Sequence, residues 1–232
     1  MLNTVYRLVE PRRIESEFSN IDVNGDSVLV RPTHLSICNA DQRYFQGTRP
    51  PEVLKKKLPM ALIHEAIGEV IYDPKGDFES GQKVVMVPNT PMEEDDIVAE
   101  NYLRSSKFRA SGFDGFMQDI VAMRRDRVVA VPDGIDDYVA AFTELVSVSY
   151  HAIDRFDRKA HGRRNVLGVW GDGNLAFITS LLLKKRFPES KVYIFGKHEY
   201  KMDDFVFADE TYFIDSIPED LRIDHGFECV GK

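Results

Sequence analysis

The stretch VWGDGNLAF, residues 169–177, constrains this chain more than any other. The apolar run NVLGVW ends in Gly171-Asp172-Gly173, and Asn174, Leu175 and Ala176 open a segment with helical periodicity. In such a strand–turn–helix, the first glycine permits a tight turn and the second lets the backbone approach a pyrophosphate. The helix start adds free N–H groups and a positive dipole end. Gly171, Gly173 and Ala176 fit G-x-G-x-x-G/A, so residues 171–176 are expected to hold a dinucleotide in a parallel sheet with crossover helices.

The neighbouring sequence agrees with that frame. Candidate strands fall at 166–171, 191–196, 211–215 and 226–230, with helical segments at 175–187 and near 198–207. An NAD site carries an acid about 20 residues beyond its glycines to bind the ribose hydroxyls. Here that position reads Gly196-Lys197-His198. A lysine attracts the 2′-phosphate that a carboxylate would repel, so Lys197 with His198 points to NADP. A doubly wound domain usually has about six strands, so four imply a partial Rossmann domain over residues 138–232.

Before about residue 135 the rhythm differs. Short β-branched runs alternate with turn signals (SVLVRPTHLSI, AIGEVIYDPKG, GQKVVMVPN), which predicts a β-rich, barrel-like domain over residues 1–137. Residues 89–113 interrupt this rhythm with an acidic cluster and read as an exposed lobe or loop. DDYVAAFTELVSVSYHAIDRF has the periodicity of one long helix, with Asp136 or Asp137 at its cap.

Composition narrows the function classes. Thirty basic against 38 acidic residues give a net charge of −8, which argues against a nucleic-acid surface. The N-terminus lacks the apolar core of a signal peptide, and no apolar run reaches the roughly 18 residues that span a bilayer, so a cytoplasmic location is expected. Two cysteines, Cys38 and Cys229, make no disulfide framework.

LPMALIHEAIGEVI, residues 58–71, reads as a single buried strand with His64 and Glu65 in its middle. Burying such groups unpaired costs several kcal/mol, about 2–7 even for an uncharged polar group. They therefore need a metal, a salt bridge or a wet strand edge. Cys38, His64, Glu65 and Glu144 offer a thiolate, an imidazole and one or two carboxylates, a donor set suited to tetrahedral zinc with the variable position of a catalytic site. Each also has an ordinary alternative as a core cysteine, a satisfied core histidine or a solvated glutamate.

The order C-x-x-D at Cys38–Asp41, His64-Glu65 followed by x-x-Gly, TELVSVSYHA at 143–152 and then the glycine turn resembles the medium-chain zinc alcohol dehydrogenase superfamily over nearly the whole chain. The resemblance implies a GroES-like β-barrel catalytic domain followed by the Rossmann domain. It also implies one catalytic zinc at Cys38, His64, Glu65 and Glu144, with one glutamate bound directly and the other exchanging or reached through water. Asp41 supports the site from behind. The family's four-cysteine lobe would fall at 89–113, which has no cysteine, so no structural zinc is expected. The family's proton-relaying Ser or Thr is Ala40 here, leaving zinc-bound water, Glu65, a substrate hydroxyl or another side chain as proton source.

CNADQRYFQG, KKLPMALIHEA, RASGFDGFMQD and IPEDLRIDHGFECVG are similar to the ribulose-5-phosphate reductases, which use NADPH to make ribitol 5-phosphate for CDP-ribitol in teichoic-acid or capsule synthesis. This implies a sugar-phosphate substrate, with Arg43 and Tyr44 at its phosphate and Arg49 or Lys55–Lys57 as alternatives. The rival readings are a dehydrogenase of an unphosphorylated polyol, and a non-catalytic module of this fold docked on a cytidylyltransferase. The chain is expected to be a truncated reductase that binds zinc, turns over poorly and self-associates as a homo-oligomer through an open sheet edge.

Overall fold

Alternating burial shapes the first unit. In the computed structural model, which describes residues 1–23 and 25–230, β1 (Leu2–Glu10) buries Asn3, Val5 and Leu8 and pairs antiparallel with β2 (Arg13–Asn20). β3 (Val28–Ser36) leads into α1 (Asn39–Phe45) and α2 (Pro51–Lys57). There follow β4 (Met60–Ala61), β5 (Glu65–Tyr72), β6 (Lys83–Met86), β7 (Asn89–Thr90), β8 (Lys107–Phe108), β9 (Val121–Met123) and β10 (Val128–Ala130). The strands form an antiparallel five-stranded sheet in the order β10-β6-β5-β3-β9, a three-stranded sheet β2-β1-β4, and the small ribbon β7-β8. Val30, Met60, Val84, Met86 and Phe116 are fully buried in their common core.

The segment expected to be one strand at 58–71 is broken. β4 ends at Ala61 and β5 begins at Glu65, because Ile63 takes a left-handed backbone with φ 71°. That conformation is unfavourable for a β-branched residue and persists only where its surroundings hold it. Here Phe116 N–H donates to Ile63 O (2.7 Å), Met117 N–H to Leu62 O (3.2 Å) and Gly115 N–H to Ala61 O (2.8 Å). Gly115 has no substitute, since a Cβ there would lie 2.3 Å from both the Leu62 and Ile63 carbonyl oxygens. The break takes His64 out of the strand and leaves Glu65 as the strand's first residue.

Residues 89–113 are mostly exposed, as expected, but they are not merely a loop. The β7-β8 ribbon closes the segment, pairing Asn89 with Phe108 and Thr90 with Lys107, and a single 3₁₀ turn at Glu100–Tyr102 lies between. The predicted long helix is also two. Asp136 caps α3 (Asp137–Ala140), accepting from the N–H groups of Tyr138 and Val139, and α4 (Thr143–Lys159) starts anew.

The chain divides into compact units at Met1–Glu144 and Leu145–Lys232, within α4 rather than at residues 137/138. In the second unit α4 is followed by β11 (Val166–Trp170), α5 (Asn174–Arg186), β12 (Lys191–Gly196), α6 (Glu199–Met202), β13 (Glu210–Phe213) and β14 (His225–Glu228). All four strands are parallel in the order β13-β12-β11-β14, which reproduces the 3-2-1-4 part of the doubly wound order. α5 buries Ala176, Thr179, Ser180 and Leu183, one face at helical spacing, over Leu167, Val169, Val192 and Ile194. Complete burial of each such aliphatic side chain is worth about 1.5–3 kcal/mol. Among the described residues no helix is long and apolar enough to cross a membrane.

Candidate metal centre and dinucleotide turn

Cys38 caps α1, its Sγ accepting from Ala40 N–H at 3.2 Å. The buried Asp41 ties this cap to the broken strand: Oδ2 accepts from Cys38 N–H (3.2 Å) and Oδ1 from Ile63 N–H (2.9 Å). The two segments carrying the thiol and the imidazole are thereby fixed to one carboxylate. Cys38 Sγ lies 3.5 Å from His64 Nε2, and Glu65 Oε1 lies 3.9 Å from the same nitrogen. One donor atom from each of Cys38, His64 and Glu65 lies within 4.8 Å of the others. A tetrahedral zinc with bonds of about 2.0–2.3 Å spaces its ligands about 3.3–3.8 Å apart, so small side-chain adjustments would seat the ion.

The electrostatics have the same sense. Burial, reinforced by the Asp41 charge, pushes the Cys38 thiol up to about 12. Burial lowers the His64 imidazole against the pull of Asp41, favouring the neutral, ligating form. It also raises Glu65, although a hydrogen bond from Ser36 Oγ opposes this. Glu144, on the first turn of α4, is raised to about 7 by burial and then by the charges of Glu65 and Asp41. Among the described residues no lysine or arginine pairs with Asp41 or Glu65 within 4 Å. A buried thiol, imidazole and carboxylate beside the Asp41 charge make an environment that a dication would neutralise, and the donor set fits zinc.

Of the four expected ligands, Cys38, His64 and Glu65 are gathered, while Glu144 stands outside the tight cluster but within reach of its field. Arg43 is half-buried on α1. Tyr44 packs into the core with 5% exposure beneath the Arg49 guanidinium, 4.9 Å from its ring, and is poorly placed to offer its hydroxyl to a substrate. Two site neighbours were not singled out from the sequence. Ser36 orients Glu65, and Phe108 packs its ring 5.3 Å from that of His64. Only the folded strand pairing brings them there, and neither residue type carries a signal of its own.

In the second unit Gly171 has φ 131°, and a Cβ on it would lie 3.1 Å from Cys229 O and 3.3 Å from the Ala176 Cβ. Gly173 faces open space and starts α5 with no side-chain cap, leaving the first N–H groups of Asn174, Leu175 and Ala176 to an incoming anion. Asp172 points across to the end of β12. Its Oδ2 accepts from Lys197 N–H (2.8 Å), His198 N–H (2.9 Å) and the His198 ring Nδ1 (2.8 Å). Asp172 therefore fixes the loop that carries Lys197 and His198, both exposed.

An alcohol dehydrogenase GroES-like domain matches residues 24–133. Ribulose-5-phosphate reductase of Bacillus spizizenii is 60% identical over 231 residues, covering 100% of this chain and 68% of that protein. Ribulose-5-phosphate reductase 1 of Staphylococcus aureus is 57% identical, again over 100% of this chain and 68% of its own length. The crystal structure of S. aureus TarJ in complex with NADPH superposes with a TM-score of 0.84 at 50% identity, covering 99% of this chain and 65% of that one. The chain thus spans about two thirds of the length of these relatives. Its fold is that of a medium-chain dehydrogenase, a GroES-like antiparallel unit followed by Rossmann strands. Within that superfamily the chain belongs to the family of the ribulose-5-phosphate reductases.

Proposed function

We propose that this chain carries the zinc and cofactor sites of an NADPH-dependent reductase that converts D-ribulose 5-phosphate to D-ribitol 5-phosphate. The observation that carries the reading is the desolvated Cys38–His64–Glu65 cluster, which has a zinc donor set beside the Asp41 charge. Whole-chain similarity to ribulose-5-phosphate reductases supports the substrate, and similarity to an NADPH complex supports the cofactor.

Cys38, His64 and Glu65 would hold the metal, with Glu144 beside them. When bound, zinc supplies a Lewis acid for a carbonyl oxygen and NADPH supplies hydride. The chain's own contribution is position. Asp41 holds the thiol and imidazole segments together, Ser36 fixes one oxygen of Glu65, and Phe108 covers one side of His64. Gly171, Gly173 and the start of α5 would receive the pyrophosphate, and Lys197 with His198 the 2′-phosphate. Self-association, a cytidylyltransferase partner and a cytoplasmic location are expectations from the sequence.

The test is NADPH oxidation by the zinc-loaded protein with D-ribulose 5-phosphate and with D-ribulose. Turnover of the phosphorylated sugar at least tenfold faster supports the reading. Equal rates would favour a dehydrogenase of unphosphorylated polyols.

A further inference from the structure

Arg109 differs from Arg7, Arg125 and Arg127. Arg7, Arg125 and Arg127 each engage two carboxylates: Glu17 and Asp114, Asp73 and Asp77, and Glu100 and Asp126. Among the described residues Arg109 forms no ion pair within 4 Å. Its guanidinium donates to two main-chain carbonyls, Asp114 O (3.2 Å) and Ala122 O (2.9 Å), and lies 5.6 Å from the centre of the Phe116 ring. Burial lowers its pKa, opposed by the charge of Asp114. The Asp114 side chain is itself committed to Arg7, at 2.9 and 2.7 Å, and to Ala61 N–H.

Two positions before Arg109, which lies in the turn after the strand, Lys107 opens β8. Its ammonium lies 5.4 Å from the centre of the Phe113 ring. Lys107, Arg109 and Arg124 line one cavity of about 340 Å³, with Asp114, Phe113 and Met92 among its other walls. Arg124 is satisfied by Asp126 and by Pro91 O, so among the described residues the cavity's cations with no carboxylate within ion-pair distance are Lys107 and Arg109. Lys107 is exposed and Arg109 is half-buried with the Asp114 charge pulling on it, so three cations face one carboxylate around the cavity, and a small anion there would offset that excess.

We propose that this cavity binds a phosphate monoester through Lys107 and Arg109. The site is separate from the Cys38–His64–Glu65 donor set and from the Arg43–Tyr44 segment, and it rests on charge and cavity shape rather than on the reductase reading. A guanidinium and an ammonium that line one cavity suit a dianionic phosphate, while Phe113 and Met92 offer an apolar rim for the carbon skeleton attached to it. The phosphate has two possible sources, the reductase substrate itself or a separate phosphorylated ligand.

The experiment titrates inorganic phosphate, ribitol 5-phosphate and ribitol into the protein by isothermal calorimetry. Wild type and Lys107→Glu are compared with Lys75→Glu, a control distant in sequence on an exposed turn. Phosphate and ribitol 5-phosphate should bind and ribitol should not. Lys107→Glu should weaken phosphate binding at least tenfold, and Lys75→Glu should leave it unchanged. Because Arg109 also braces the main chain, Arg109→Lys serves as the second variant: the charge stays, the guanidinium fork is lost, and binding should fall severalfold with the thermal transition retained. Competition between phosphate and ribitol 5-phosphate assigns the site to the substrate's own phosphate; simultaneous binding assigns it to a separate ligand. No binding to wild type, or binding undiminished in both Lys107→Glu and Arg109→Lys, overturns the proposal.

Discussion

Ser36 Oγ donates to Glu65 Oε2 across 2.8 Å in the buried interior of the first unit, leaving Oε1 on the side of His64 Nε2, 3.9 Å away. The β3-β5 pairing sets Ser36 directly opposite Glu65, so the strand register itself aims the carboxylate. Outer partners of this kind fix ligand orientation, and their loss typically reduces metal affinity about 10–100-fold. Ser36→Ala should therefore keep the fold and weaken zinc binding by that factor, as read by competition with a chromogenic chelator. Unchanged affinity would show that Glu65 needs no such support.

Asp41 predicts a different failure. It accepts from the N–H groups of both Cys38 and Ile63, so Asp41→Ala frees two segments at once and leaves Ile63 N–H buried without its acceptor. Loss of a buried hydrogen-bond partner costs about 1–3 kcal/mol. The variant should lose thermal stability as well as zinc affinity, whereas Ser36→Ala should lose mainly affinity. A stable Asp41→Ala protein with full zinc affinity would refute this linkage.

How much of this was legible in the sequence varies with the range of the interaction. The parallel sheet was, because the glycine turn and the β/α rhythm are local signals, and the four strands lie within a residue or two of their expected places. Cys38, His64 and Glu65 were found as donor types, but their convergence depends on the break at Ile63, which no local pattern reveals. A β-branched residue with φ 71° is written in the bonds to Gly115–Met117 and Asp41, some 50 and 22 positions away. Tyr44 reads as a polar handle in sequence and is core in the fold, since a tyrosine supplies either. Lys107 and Arg109 lay inside the segment read as an exposed lobe, and their shared cavity needs the β7-β8 ribbon to form.

Cofactor preference should turn on the loop that Asp172 secures. Lys197→Asp should lower NADPH affinity and narrow or reverse its advantage over NADH, because repulsion replaces attraction at the 2′-phosphate. Asp172→Ala removes the acceptor shared by Lys197 N–H, His198 N–H and the His198 ring, and should weaken NADPH binding about tenfold without creating an NADH preference. Fluorescence titration with both nucleotides checks this. A wild type that prefers NADH would contradict the assignment of Lys197.

Acid stability should depend on Asp73. The Arg125 guanidinium, chiefly through its hydrogen bonds and helped by the N–H groups of Lys75 and Phe78, holds the Asp73 carboxyl well below the usual carboxylate range. A folded-state pKa depressed below the unfolded value of about 3.9 contributes stability above that value and loses it as pH falls toward the folded pKa. Asp73→Asn should thus be less stable than wild type at pH 7, and the difference should shrink as the pH falls below about 4. Urea unfolding at a series of pH values measures it; a constant difference across that window would exclude the linkage.

The account stands most directly on a single metal held by Cys38, His64 and Glu65, and cobalt(II) titration followed by thiolate-to-cobalt charge-transfer absorption tests it, since cobalt adopts zinc's tetrahedral sites and reports its sulfur ligand. One equivalent per chain should saturate the band in wild type, Cys38→Ser should abolish it, and zinc should displace it. No charge-transfer band in wild type, or a band that survives Cys38→Ser, would contradict the account.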